Sequence, residues 1–266
     1  MSEMICKYRA HMGDDILVLD AARASFGKET DYIPASTARG NLAQLDELNL
    51  DFKDKLYRDY LVAKLPSDPD VDGGNFLKRA DFRLLYFLAE HEHVLPFRHP
   101  KVTLRCKVPL FVARQIGKHQ VGMDWSEESR RYVTGEPEFY WPEKWRKAAD
   151  NVKQGSSDEE FDVFRVSQGV YPDAEIHARD LMEIAVKLYT KLLEAGCAPE
   201  HARMILPQNM MVNFVWTGSL LAWFHLYRMR TDPTTQKETK DFAEMVGEHM
   251  KRLYPVSWDA LTTWRM

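Results

Sequence analysis

The stretch HEHVLPFRHPKVTLRCKVPLFVARQIGKHQVGMDWSEESRRY, residues 91–132, decides how this chain is read. Residues 101–108 alternate within it. Val102, Leu104, Cys106 and Val108 face one way, and Thr103, Arg105 and Lys107 face the other. A period of two predicts a half-buried strand. Cys106 falls on its apolar side, where a small core residue is a better reading than a nucleophile. Pro109 suits the first turn of a helix, and LFVARQIGKHQ follows it. On that helix Gln115, Lys118 and His119 are spaced i, i+3 and i+4 and share a face. Ser129, Arg130 and Arg131 then set a hydroxyl beside two guanidinium forks, a combination suited to gripping phosphate. Glu127 and Glu128 beside them leave a second reading open, a solvated surface of salt bridges.

Toward the N-terminus, Ile16 to Leu19 and the following AARASF (21–26) read as a strand and then a turn or loop. Leu42, Leu45, Leu48, Phe52, Leu56, Tyr57 and Tyr60 recur at helical spacing over 41–65. PSDPDVDGG (66–74) is turn chemistry, and KRADFRLLYFLAEH (78–91) an amphipathic helix. Toward the C-terminus, residues 133–172 are loop-rich and aromatic and read as a peripheral insertion. Residues 174–195 make the clearest helix, which Gly196 stops. Pro199 opens a short helix that Pro207 ends. Residues 210–229 are apolar enough for a central helix, and 235–253 form a last amphipathic one.

The 266 residues are 45% hydrophobic and 29% charged, enough for a packed core in one large domain or one domain with an appended lobe. A net charge of −4, from 36 basic and 40 acidic side chains, disfavours a nucleic-acid partner. Three scattered cysteines, Cys6, Cys106 and Cys197, form neither a disulfide framework nor a CxxC pair. His91, His93 and His99 lie close together, but without HExxH or paired cysteines no metal site is expected. A polar N-terminal segment and the lack of an 18-residue apolar run point to a cytoplasmic protein with no membrane partner. No GxGxxG, GxxxxGK[ST] or GxSxG occurs, so a dinucleotide turn, a P-loop and a nucleophile elbow have no support. Further arginines are Arg203, between two prolines, and Arg228 and Arg230, ending an apolar segment where cations suit a helix dipole.

Taken in order, several of these segments resemble the flavin-dependent thymidylate synthases. They are AARASF (21–26), His93-Val94-Leu95-Pro96-Phe97-Arg98-His99, Phe111 to Gln115, and Lys118-His119-Gln120. Ser129-Arg130-Arg131-Tyr132, HARMILPQN (201–209) and LYRMR-TDP-TTQKE (226–238) follow. The matches keep the family's order over roughly 21–255. The departures are specific. The family's Arg-His-Arg is Lys-His-Gln here, the loop to Ser129 is one residue longer, and Ser126 stands where an Asn often precedes the Glu. After Trp216, the family's flavin-contacting Asn, Arg and Asn appear as Ser219, Leu221 and His225.

The resemblance implies an α/β (α+β) fold: a central, mostly antiparallel sheet with flanking helices and a helical lobe, as one domain over 1–266. It implies reductive methylation of dUMP to dTMP, with methylenetetrahydrofolate as carbon donor, reduced FAD as hydride donor and NADPH as reductant. Gln115, Lys118, Glu127, Glu128, Ser129, Arg130, Arg131 and Arg203 are the implied nucleotide residues. Arg230 is the implied catalytic cation at the uracil edge, where it stabilises developing negative charge. Ser25, His93, Leu95, Lys118, His119, Gln120, Glu127, Ser219, Leu221 and His225 are the implied flavin residues. A homotetramer with active sites between subunits is implied as well. Two alternatives stay open: a same-scaffold enzyme acting on UMP or dCMP or transferring a hydroxymethyl group, and a non-catalytic nucleotide-binding protein.

Overall fold

The computed structural model describes residues 2–68, 70–133, 135–150, 156–161 and 178–264. In chain order its elements are β1 (Ile5–Met12), α1 (Asp15–Arg23), α2 (Ala35–Asp46), α3 (Phe52–Lys64), α4 (Arg79–Glu90), β2 (Lys101–Pro109) and α5 (Leu110–Ile116). There follow β3 (Met123–Glu127), β4 (Arg146–Ala148), β5 (Ser156–Glu160), α6 (Ala178–Glu194) and α7 (Pro199–Ala202). The last are β6 (Met211–Ser219), α8 (Leu220–Arg230), α9 (Lys237–Leu253) and α10 (Pro255–Trp264). Helices thus accompany a four-stranded sheet of order β1-β2-β6-β3, and β4 pairs antiparallel with β5. This is the expected mixed class.

The chain divides into two compact units. One holds Met1–Arg9, Thr103–Thr217 and Met229–Val246; the other holds Ala10–Val102, Gly218–Arg228 and Gly247–Met266. In the first, β2 and β6 run antiparallel. Thr103 Oγ1 meets Thr217 Oγ1 at 2.9 Å, and farther along Leu110 N donates to Met210 O at 2.9 Å in the same register. Leu104, Cys106 and Val108 are buried on the inner face of β2, as the alternation predicts. Val212, Phe214 and Trp216 do the same on β6.

The second unit is mostly helical. Tyr57, Phe82 and Tyr86 stack into its core, with ring centroids 5.2 and 4.8 Å apart. Buried Asp15 accepts from Val256 N and Ser257 N at the start of α10, capping donors the helix cannot pair itself. Burial pushes its carboxyl above the ordinary value, and those bonds pull it back.

Three element expectations need correction. Residues 15–23 are helical, not a strand. Asp14 caps the start by accepting from Ile16 N, and Val18 and Leu19 bury as neighbours on one helical face. The single helix expected over 41–65 is two, α2 and α3, with a new cap at Asp51, which accepts from Asp54 N. The helix expected over 210–229 is strand β6 running directly into α8. The strand's apolar inner face and the buried helix after it merge into one hydrophobic run, which hides the change of period. By contrast, the strand at 101–109, the helix at 79–90 and the stop at Gly196 (φ +86°) fall where expected. Residues 174–177 of the expected 174–195 helix, and 134, 151–155 and 162–172 of the expected insertion, lie outside the described residues. No described helix is long and apolar enough to cross a membrane.

Candidate active site

Helix α5 organises the site. Pro109, with extended backbone, is its N-cap rather than its first residue. The amides of Leu110 and Phe111 donate to Met210 O and Gln208 O, so the segment after Pro207 satisfies two donors of the helix start. That anchorage fixes where Arg114 and Gln115 project. The helix stops at Ile116 with Gly117 as its C-cap, so Lys118 and His119 lie in the turn beyond it and do not share with Gln115 the helix face that their spacing predicts.

Gln115 points into a hydrogen-bond chain. Its Nε2 donates to Gln236 Oε1, and its Oε1 accepts from Thr239 Oγ1 at 3.0 Å. Gln236 Nε2 donates to Glu238 Oε2 at 3.0 Å, and Glu238 is held by Arg146 Nη2 at 2.9 and 3.1 Å. The Arg146 and Glu238 side chains are only 13% and 5% exposed. A pair so dry is retained only when its remaining valences are filled, which Gln236 and Ser156 do here.

The backbone oxygen of Gln115 also accepts from Arg230 Nη2 at 2.9 Å, and Arg230 Nε donates to His119 Nε2 at 3.0 Å. Because a guanidinium only donates, His119 Nε2 must be an unprotonated acceptor. Burial lowers the Arg230 pKa, yet an arginine stays charged. Arg230 is therefore a fixed, partly desolvated cation held by two bonds, one to α5 and one to the turn after it.

Two cavities open beside α5. One, of about 540 Å³, is bounded by Arg114, Glu127, Glu128, Ser129, Arg130, Glu200, Arg203 and apolar neighbours. Neither Arg114 nor Arg203 has a carboxylate within 4 Å among the described residues. The other, of about 430 Å³, is lined by Arg114, Lys118, His119, Gln120, Met123, Trp125, Glu127 and Trp216. A third, of about 660 Å³, lies behind Gln236 and Glu238, with Phe111, Tyr140, Trp141 and Trp145 on its wall. The turn that leads into β3 needs Gly122 at φ +72°, and closes with Met123 N donating to Gln120 O at 3.1 Å.

The structure gathers the expected residues unevenly. Glu127, Glu128, Ser129, Arg130 and Arg203 share the first cavity, and Lys118, His119, Gln120 and Glu127 the second. Arg131 turns aside, its guanidinium 5.2 Å from the Tyr132 ring centroid. Gln115 is committed to α9, and Arg230 reaches α5 without being on either wall. The remaining expected flavin residues sit in the other unit. There Ser25, His93 and Leu95 are exposed, Leu221 is buried, and buried Ser219 accepts from Ala222 N at 3.2 Å. His225 has its pKa lowered by burial first, then by Arg228 and Arg98.

Sequence reading missed Arg114, Trp125, Arg146, Gln236, Thr239 and Glu238 as site residues. Arg114 stands beside Gln115, and Gln236 and Glu238 stand in TTQKE, so their positions were in view. Trp125 and Arg146 carried no signal, because strand and ribbon pairing brings them in.

A model of the thymidylate synthase complementing protein family matches residues 9–256. The chain belongs to that family. Among its relatives, a flavin-dependent thymidylate synthase of Thermus thermophilus is 35% identical over 184 residues, 68% of this chain and 64% of that one. This chain thus spans 64% of the length of the Thermus relatives it matches. The flavin-dependent thymidylate synthase of Thermosipho africanus is 32% identical over 222 residues, 81% of this chain and 91% of the relative. The family fold recurs in the crystal structure of the UMP/dUMP methylase PolB from Streptomyces cacaoi bound with 5-Br UMP. Its TM-score is 0.69 at 21% identity, covering 99% of this chain and 96% of that one.

Proposed function

We propose that the chain methylates dUMP to dTMP as a flavin-dependent thymidylate synthase. The observation that carries this is the fixed cation Arg230, bonded to His119 and Gln115, where the family's uracil-edge arginine falls in sequence. A desolvated, preorganised cation stabilises negative charge developing on a pyrimidine ring without reorganising at the moment of reaction.

The 540 Å³ cavity suits the nucleotide. Arg203 and Arg114 offer guanidinium forks without carboxylate partners within 4 Å among the described residues, Ser129 offers a hydroxyl, and the apolar side, Leu206 and Met210 among it, suits a base or sugar. The 430 Å³ cavity fits a flavin ring on its residues: an indole wall, two cations and the amide of Gln120. Bound there, FAD would supply the hydride, while methylenetetrahydrofolate supplies the carbon and NADPH the reducing equivalents. The protein's part is to orient the pyrimidine in the first cavity and keep water away from it, with Arg230 held behind Gln115 and His119 as the nearby fixed positive charge. A cavity of this volume takes a ring system more readily than a whole dinucleotide. That agrees with a homotetramer in which a second copy completes the site, working in the cytoplasm.

Purified protein supplied with FAD, NADPH and methylenetetrahydrofolate is to be offered dUMP, UMP and dCMP in parallel, with products weighed by mass spectrometry. The expected product is dTMP; no turnover of dUMP overturns the proposal. A second reading, UMP as substrate, is favoured by the fold shared with PolB, bound with 5-Br UMP in its crystal structure. Preferential turnover of UMP in the same panel would establish it.

A further inference from the structure

Trp125 is mounted on a support and faces a cavity. It lies half-buried on β3, at the edge of the sheet order. One ring face rests on Phe214, with centroids 3.6 Å and planes 15° apart, and Trp216 meets it edge-on at 4.9 Å. Phe214 and Trp216 are themselves buried, so the support is rigid. The indole N–H donates to Glu127 Oε2 at 3.1 Å, which satisfies the ring's one polar atom and sets its tilt from another side. The ring surface left over lines the 430 Å³ cavity, where Lys118 and Arg114 stand without carboxylate partners within 4 Å among the described residues.

A rigid, electron-rich indole wall beside cations is complementary to a planar, electron-poor ring that takes up negative charge when it is reduced. We propose that Trp125 is the stacking platform for the isoalloxazine ring of the flavin, with Lys118 and Arg114 toward the pyrimidine edge that gains negative charge on reduction; this rests on the flavin reading above. Uracil is the weaker candidate for the platform, being small and tied through its phosphate to the neighbouring cavity. Glu127 lies on both walls and holds the indole. A ring stacked on Trp125 therefore lies next to the nucleotide cavity, as hydride delivery to a pyrimidine requires.

The test uses binding rather than turnover. Wild type, W125F and W125L are titrated with FAD and, separately, with lumiflavin, which has the ring and no phosphates. Flavin and tryptophan fluorescence are read, and dUMP affinity is measured by calorimetry on the same samples. W125F keeps a stacking face and is expected to bind both flavins within about twofold of wild type. W125L fills the space without a π face and is expected to bind both about tenfold more weakly, with dUMP affinity unchanged. Lumiflavin is expected to quench tryptophan emission less in W125F than in wild type. Equal flavin affinity in W125L and wild type overturns the platform while leaving the flavin reading intact. Wild type that binds dUMP but neither flavin overturns the flavin reading itself. Should W125L not fold, the quenching difference between wild type and W125F decides, and its absence counts against the platform.

Discussion

The 540 Å³ and 430 Å³ cavities share Leu110, Arg114 and Glu127 on their walls and otherwise differ in kind. The larger is bounded by three arginines, three glutamates and a serine with apolar residues behind them. The smaller has two tryptophans, a histidine and a lysine. A phosphate is recognised by charge and donor count, which short motifs such as Ser129-Arg130-Arg131 can carry. A ring is recognised by a flat, rigid wall, and that wall is made by strand pairing between residues as far apart as Trp125 and Phe214. One helix, α5, and one acid, Glu127, thus join two cavities whose linings suit ligands of different chemistry.

That division of labour is open to attack by substitution. The largest effect is expected from Arg230→Ala, which touches neither wall. Turnover should fall by about 10³-fold, roughly 4 kcal/mol of barrier, with dUMP and FAD affinities close to wild type by titration. Near-normal kcat would remove the proposed cation from the reaction. Next comes Glu238→Ala, which strands Arg146 in a dry environment and releases Gln236 from one side. A loss of about 3 kcal/mol in unfolding free energy is expected, against under about 0.5 kcal/mol for Lys237→Ala, whose ion pair with Asp241 is exposed. Denaturant titration of the two variants measures the contrast.

Arg203→Ala should raise the KM for dUMP by roughly 10- to 100-fold and leave FAD affinity alone, since Arg203 lines only the cavity proposed for the nucleotide. Lys118→Ala is the reciprocal case and smaller, a several-fold loss of FAD affinity with little change in KM for dUMP. An effect of either variant on the wrong ligand would merge the two cavities into one site. Arg114→Ala sharpens the comparison from the shared wall, because about tenfold weakening is expected for both ligands.

Much of this arrangement was legible in the sequence, and the parts that were not have physical causes. Strand β2 announced itself because Thr103, Arg105 and Lys107 alternate with buried apolar residues. Its partner β6 did not, although its inner face buries in the same alternating way. Val215 is apolar on the outer face, and the apolar run continues into α8 without a break. The role of Asp15 was not legible, because nothing in the sequence shows that the amides of Val256 and Ser257 will need its carboxylate. In the site, the motif residues Glu127 to Arg130 and Arg203 do converge on one cavity. Gln115 and Arg131 show the limit: the motifs brought both into view, while their side-chain directions depend on Gln236, Thr239 and the Tyr132 ring.

One measurement joins both halves of the proposal. The FAD-loaded protein is reduced with NADPH under anaerobic conditions until its yellow colour bleaches, and is then mixed with dUMP and methylenetetrahydrofolate. The flavin absorbance is followed and the nucleotide analysed. The colour is expected to return as dTMP forms, in proportion to the bound flavin. Flavin that stays reduced beside unchanged dUMP would contradict the proposal.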